Sequence, residues 1–261
     1  MRLPQWLDNY IYNDLGAKYC RSNADITVID WDKNDVLNYL GTYFPRSYAE
    51  AYSIFAEYFK NNTSAFANIE ELSIFDFGCG TGGEIIGLLT VLSELRPNLK
   101  VVRMVALDGN KEALLLYEEI LNKWKERTNL QVISSPIHLP INFYKLEVLD
   151  NVMTESFDII ISFKAICEFV TKVQFEQKNA YEQIASFLLP KLSNDGRMLL
   201  VDVTSYNNTS QEWLPMMMDK GLKATNCNVI ARNIGYNQTY TITHSQQIGD
   251  ISKVAWRMIK Q

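Results

Sequence analysis

The sequence predicts an α/β fold: a mostly parallel sheet with crossover helices, a C-terminal antiparallel hairpin, and an N-terminal helical extension. Three observations predict it. Leu72 to Phe77 is a short apolar, aromatic-rich run that gives way to glycines, and Ile85, Leu88, Leu89, Leu92 and Leu95 then recur at helical spacing until Pro97. The unit repeats, with Val101 to Leu107 ending at Asp108 before a helical stripe of Ala113, Tyr117, Ile120, Leu121 and Trp124. Strand-helix alternation of this kind needs parallel strands joined by crossovers. At the far end Val254, Trp256 and Met258 alternate with Ala255, Arg257 and Ile259, the pattern of a closing strand, with Asn228 to Ala231 as its partner.

The other elements can be read in chain order. Tyr48, Tyr52, Phe55, Ala56 and Phe59 recur at three- and four-residue intervals within Pro45 to Lys60, so residues 1–70 read as an N-terminal helical cap and residues 71–261 as the core. Val132-Ile133 reads as a strand, with Pro136 and Pro140 breaking the segment after it. Phe157 to Ser162 is apolar enough for a buried central strand, Ala180, Tyr181, Ile184 and Leu188 mark a helix, and a turn at Asn194-Asp195-Gly196 leads into a strand from Met198 to Val203. Thr209 and Glu212 stand at capping-box spacing ahead of a helix carrying Trp213, Leu214 and Met217.

Composition narrows the function. The chain has 261 residues, 47% of them hydrophobic and 21% charged, which suits one globular core and leaves no disordered tail. No stretch approaches the ~18 apolar residues that span a bilayer, and the start lacks a signal-peptide pattern, so the expected location is the cytoplasm, with no membrane partner. Cys20, Cys79, Cys167 and Cys227 lie far apart and read as buried free thiols; with His138 and His244 isolated, no metal site is expected. The net charge of −5 opposes polyphosphate binding unless a local basic patch exists, and Lys220, Lys223, Arg232, Lys253, Arg257 and Lys260 read as solvated positions.

The segment that carries chemistry is Asp76-Phe77-Gly78-Cys79-Gly80-Thr81-Gly82-Gly83, between strand and helix, where open α/β folds bind ligands. Gly78, Gly80 and Gly83 satisfy the G-x-G-x-x-G dinucleotide fingerprint, which keeps a nicotinamide-dependent oxidoreductase among the readings. Against it stand Asp76 two residues before the first glycine, the long segment before the strand, and the lack of a second substrate domain.

Asp76-x-Gly78-x-Gly80-x-Gly82 resembles the first motif of the class I S-adenosylmethionine-dependent methyltransferases, a Rossmann-like superfamily. Phe157 to Ser162 is similar to the family's fourth-strand motif and Gly196 to Asp202 to its fifth. The resemblance implies a methyltransferase whose cofactor is S-adenosylmethionine, bound by Asp76, Phe77, Gly78, Cys79, Gly80, Gly82, Asp108, Gly109, Asn110, Ser162 and Phe163. Asp108 matches the acidic position that binds both ribose hydroxyls, a fit for a carboxylate facing a vicinal diol, set against a carboxylate that only favours the dipole at a helix N-terminus. Arg46, beside Pro45 at the start of the extension's helix, is a candidate partner for the cofactor's carboxylate, set against a role at the helix start alone. The third-strand region lacks the family's adenine-binding acid. Ser162-Phe163-Lys164 lacks both the Pro-Pro-aromatic signature of adenine and glutamine enzymes and the Pro-Cys pair of cytosine C5 enzymes. No catalytic residue is assigned: Lys164 could orient an anion and Glu168 could act as a base, each set against a solvated loop or helix position. Tyr43 to Ala51 and Ala165 to Phe169 more narrowly resemble the methyltransferase-like proteins of the mitochondrial small ribosomal subunit, without the cysteine cluster of many of them. The acceptor stays open between RNA and a small molecule, and a catalytically silent assembly factor is the alternative function.

Overall fold

The computed structural model describes residues 1–21, 31–174 and 179–261, side chains of 171–174 excepted. They form two compact units: Met1–Glu71 with Cys79–Pro140 and Thr239–Ser252, and Leu72–Gly78 with Ile141–Gln238 and Lys253–Gln261. Among the described residues no helix is long and apolar enough to cross a membrane.

The first unit holds helices α1 (Gln5–Asn9), α2 (Lys33–Asn61), α3 (Gly83–Leu95) and α4 (Lys111–Lys125), with strands β2 (Val101–Asp108) and β3 (Gln131–His138). β2 and β3 are parallel and unbroken in register from Val101 opposite Gln131 to Asp108 opposite His138. Pro136 lies within β3 rather than ending it; β3 is the last strand of the order, and a proline is tolerated where no further neighbour needs its missing N–H.

The helix expected from Pro45 starts twelve residues earlier, at Lys33, because Asp32 caps it by accepting from the Asn34 and Asp35 amides at 2.8 and 3.0 Å. Pro45 therefore sits in a helix interior, where it cannot donate to the Gly41 carbonyl. The Tyr12 hydroxyl supplies that bond at 2.6 Å, in a buried position. α2 and α3 then meet backbone to backbone: a Cβ at Gly83 would stand 2.5 Å from the Phe44 carbonyl oxygen, and one at Gly87 2.7 Å from that of Tyr48.

The second unit is built on β1 (Glu71–Phe77), β4 (Phe157–Phe163) and β5 (Leu192–Val203), parallel and in that order, with the antiparallel β10 (Gln247–Lys260) and β8 (Asn228–Arg232) beyond β5. It carries α5 (Cys167–Gln174), α6 (Ala180–Leu188), α7 (Leu214–Ala224) and a small hairpin of β6 (Tyr206–Asn207) and β7 (Glu212–Trp213). The mostly parallel sheet with an antiparallel C-terminal pair is the expected fold class. The first part of β10 belongs with β9 (Gln238–His244) in the first unit.

Four expectations are corrected. The residues Asn194 to Gly196 do not form a turn ahead of the strand but a bulge inside β5, since Phe157 pairs with Leu192 and Ile159 with Arg197. The capping box does not form: Glu212 lies in β7, α7 begins at Leu214 with Pro215 in its first turn, and the Asn207 side chain accepts from the Thr209 and Ser210 amides. Of the four cysteines only Cys79 is buried, while Cys20 is exposed. Arg257 is not solvated: Val254 to Ile259 are buried on both faces of β10, and the Arg257 guanidinium is forked by Asp219 at 2.6 and 2.9 Å.

Candidate cofactor site

In the first unit the glycine loop and the end of β2 are tied together. Cys79 donates its amide to the Leu107 carbonyl at 3.0 Å, and Gly80 donates to Asp108 Oδ2 at 2.7 Å. The Asn110 amide donates to the other carboxylate oxygen, Oδ1, at 2.8 Å. The Asn110 side chain caps α4 by accepting from the Ala113 amide at 2.9 Å, which fixes the turn that carries Asp108.

Asp108 is half-buried. Burial pushes its carboxyl above the usual range, opposed by the Asn110 and Gly80 amides. An ionised carboxylate offers about four acceptor positions. With the Gly80 amide on one oxygen and the Asn110 amide on the other, the carboxylate is oriented and keeps acceptor capacity, so the residue present fits a ribose diol.

Gly80 has φ of 50°, and a Cβ there would lie 3.3 Å from the Tyr39 ring. Tyr39 stacks on Tyr43 at 4.9 Å and meets Trp31 edge-on at 5.6 Å, and the Trp31 carbonyl accepts from the Asn110 side chain at 3.2 Å. Sequence reasoning missed this aromatic group beside the loop because it started the helix at Pro45. The signal was the four-residue spacing of Tyr39 and Tyr43, which puts both on one helix face.

Elsewhere in the first unit the Gly109 carbonyl oxygen lies 3.0 Å from His138 Nε2, and Gly82 is the left-handed N-cap of α3. In the second unit Asp76 is buried in β1, Phe77 packs its ring 6.1 Å from Phe169, and Gly78 turns at φ of 79°. Ser162 and Phe163 are buried at the end of β4, and the Ser162 hydroxyl has no hydrogen-bond partner among the described residues. Lys164 adopts a left-handed φ of 59°, and Glu168 is exposed on the first turn of α5.

Arg46 lies in the middle of α2, not at a helix start, and its guanidinium is engaged by protein. Nε and Nη2 donate to the two oxygens of Asp250, each at 2.8 Å, and Nη2 also donates to the Tyr19 hydroxyl at 3.3 Å. The side chain is buried, and so is Asp250, which stands 3.8 Å from the buried His244 ring.

A family model described as a methyltransferase domain matches residues 69–251. A search of curated proteins found no match. Among solved structures, a S-adenosylmethionine-dependent methyltransferase from Clostridium acetobutylicum is 14% identical, with 80% of this chain and 91% of that one covered and a TM-score of 0.42. A TehB-like methyltransferase from Corynebacterium glutamicum is 12% identical over 80% of this chain and 97% of its own, with a TM-score of 0.41. A methyltransferase from Geobacter sulfurreducens, solved with S-adenosyl-L-homocysteine, is 11% identical over 68% of this chain and 66% of its own, with a TM-score of 0.43.

Proposed function

This chain belongs to the methyltransferase-domain family, and from that premise we propose that Asp108 and the glycine loop hold S-adenosylmethionine by its ribose for transfer to an acceptor of low charge. The protein is a methyltransferase and S-adenosylmethionine is its cofactor. Bound there, the cofactor supplies an electrophilic methyl group on a sulfonium.

The observation that carries the reading is the Asp108 carboxylate, oriented by the Gly80 amide on one oxygen and the Asn110 amide on the other. The Gly80 amide fixes the distance between loop and carboxylate, and the Asn110 cap fixes the direction of the turn. In-line displacement asks a protein chiefly to align the reacting groups, so rigid positioning is the contribution these residues can make.

An acceptor of low charge is supported by the state of the C-terminal cations. Lys220 pairs with Glu212, Arg232 with Asp219 and Lys260 with Asp195, while Arg257 is buried on Asp219. Three carboxylates face these four cations, so in a chain of net charge −5 they offer little to a polyanion. RNA remains the alternative acceptor on the narrower family resemblance.

Calorimetry with S-adenosylmethionine, S-adenosylhomocysteine and NAD tests the cofactor site, with binding of the first two and not the third expected. Transfer of a tritiated methyl group to fractionated metabolites, protein and RNA then tests the acceptor. Label in the RNA fraction alone would overturn the low-charge reading, and binding without label in any fraction would favour a silent scaffold.

A further inference from the structure

We propose that Asp202 is a positioning residue that holds the turn after β4 against the first glycine of the cofactor loop, and so sets how tightly the loop takes its ligand. The inference rests on the reading that this loop binds S-adenosylmethionine.

Asp202 stands next to the end of β5 with 1% of its surface exposed. The Val203 amide donates to Oδ1 at 2.8 Å and the Tyr181 hydroxyl to Oδ2 at 3.0 Å. Cys167 brings its main-chain amide to the same carboxyl and sets its thiol beside it. Its Sγ also stands 3.1 Å from the Lys164 carbonyl oxygen. The residues from Lys164 to Cys167 are thus pinned to β5 at both ends, because the Lys164 amide donates to the Val201 carbonyl at 2.8 Å.

This pinned turn is strained and pressed against Gly78, which belongs to the same unit. Lys164 has φ of 59°, a conformation that L side chains adopt only where the surroundings enforce it. Ala165, the next residue, lies so close to Gly78 that a Cβ on the glycine would stand 2.5 Å from the Ala165 Cβ. Release of the turn would free Gly78 to move. None of these contacts is explained by core packing alone, which would have been served by an apolar residue at the Asp202 position.

Burial pushes the Asp202 carboxyl up to about 6, against the bonds from Cys167, Val203 and Tyr181. Among the described residues the titratable groups facing it are Tyr181 from α6 and Cys167 from α5, with Lys164 and Glu168 beside the thiol; Ala255, opposite on β10, is uncharged. Ionised, Asp202 accepts from the Val203 and Cys167 amides and from the Tyr181 hydroxyl. Protonated, it presents an O–H to groups that are themselves donors, and the hold on Cys167 weakens. If ligand binding needs the held turn, binding favours the ionised form, and affinity rises with pH through the Asp202 transition before levelling off.

Calorimetric titration of the full chain with S-adenosylhomocysteine from about pH 5 to about pH 8 should show affinity rising threefold or more across a transition near 6. Asp202→Asn should abolish that rise. Tyr181→Phe, which removes one donor to the carboxylate, should move it to higher pH, and Cys167→Ser, which keeps a donor, should leave it in place. Tyr181→Phe carries the test if Asp202→Asn does not fold. A wild-type curve that is flat, or a rise that persists unchanged in Asp202→Asn because Asp108 is its source, overturns the inference while leaving the cofactor site standing. Absence of binding by the wild-type protein at every pH overturns the cofactor reading and this inference with it.

Discussion

Replacing Arg46 with alanine strips one half of a buried ion pair. The Asp250 carboxylate would keep its place inside the first unit, with 1% of its side chain exposed, and lose both bonds of the guanidinium fork. Burial works to raise this carboxyl, but the nearby His244, Arg46 and Tyr19 outweigh it and hold it well below the usual carboxylate range. Breaking such a pair from one side costs about 3–5 kcal/mol, because a buried charge is left uncompensated. For a chain of this size that corresponds to a fall in Tm of roughly 6–20 °C. The sign with pH is set by the depressed folded-state pKa: the pair's stabilisation is complete above the ordinary carboxylate range and is lost as pH falls through the folded value, so the gap between wild type and variant narrows in acid. Circular dichroism melts at neutral pH and in acid measure this directly. Arg46→Met combined with Asp250→Leu should recover most of the loss, since an apolar pair removes both charges together. Calorimetry with S-adenosylmethionine and methylthioadenosine separates the ligand role. If Arg46→Ala melted within about 2 °C of wild type and selectively lost the ligand that has a carboxylate, Arg46 would be a cofactor residue and the structural account would be refuted.

Three further outcomes are expected. Asp108→Ala should weaken S-adenosylmethionine by at most about 1.5–3 kcal/mol per lost ribose bond, and an unchanged Kd in calorimetry would remove Asp108 from the site. Gly80→Ala should cost stability as well as affinity, because it forces a side chain into a left-handed turn beside Tyr39; a loss of more than about 1 kcal/mol in denaturant unfolding is expected, and only its absence would leave the loop a site shaped by the ligand alone. Tyr12→Phe should cost about 1–3 kcal/mol by leaving the Gly41 carbonyl, orphaned by Pro45, without a donor; a neutral result in the same unfolding assay would mean that α2 relaxes around its proline.

The amino-acid sequence by itself determined the strand, glycine turn and helix at Leu72 to Leu95, the β2 strand ending in Asp108, and the closing strand with its partner at Asn228. Each is written in short-range periodicity or in adjacent residues, where side-chain alternation and backbone sterics act over a few positions. Helix boundaries were less legible, since Pro45 marks a helix start by local rules and is overruled by Tyr12, which lies 29 positions from the Gly41 carbonyl it serves and is packed on the helix by tertiary contacts. The same holds for Arg46, whose partner is 204 residues distant, and for Tyr181, Cys167 and Asp202, three unremarkable letters that converge on one carboxyl. Which charge meets which, and which ring lies beside Gly80, is decided by packing of distant segments, because an ion pair or a buried hydrogen bond depends on separation in space and leaves no period along the chain.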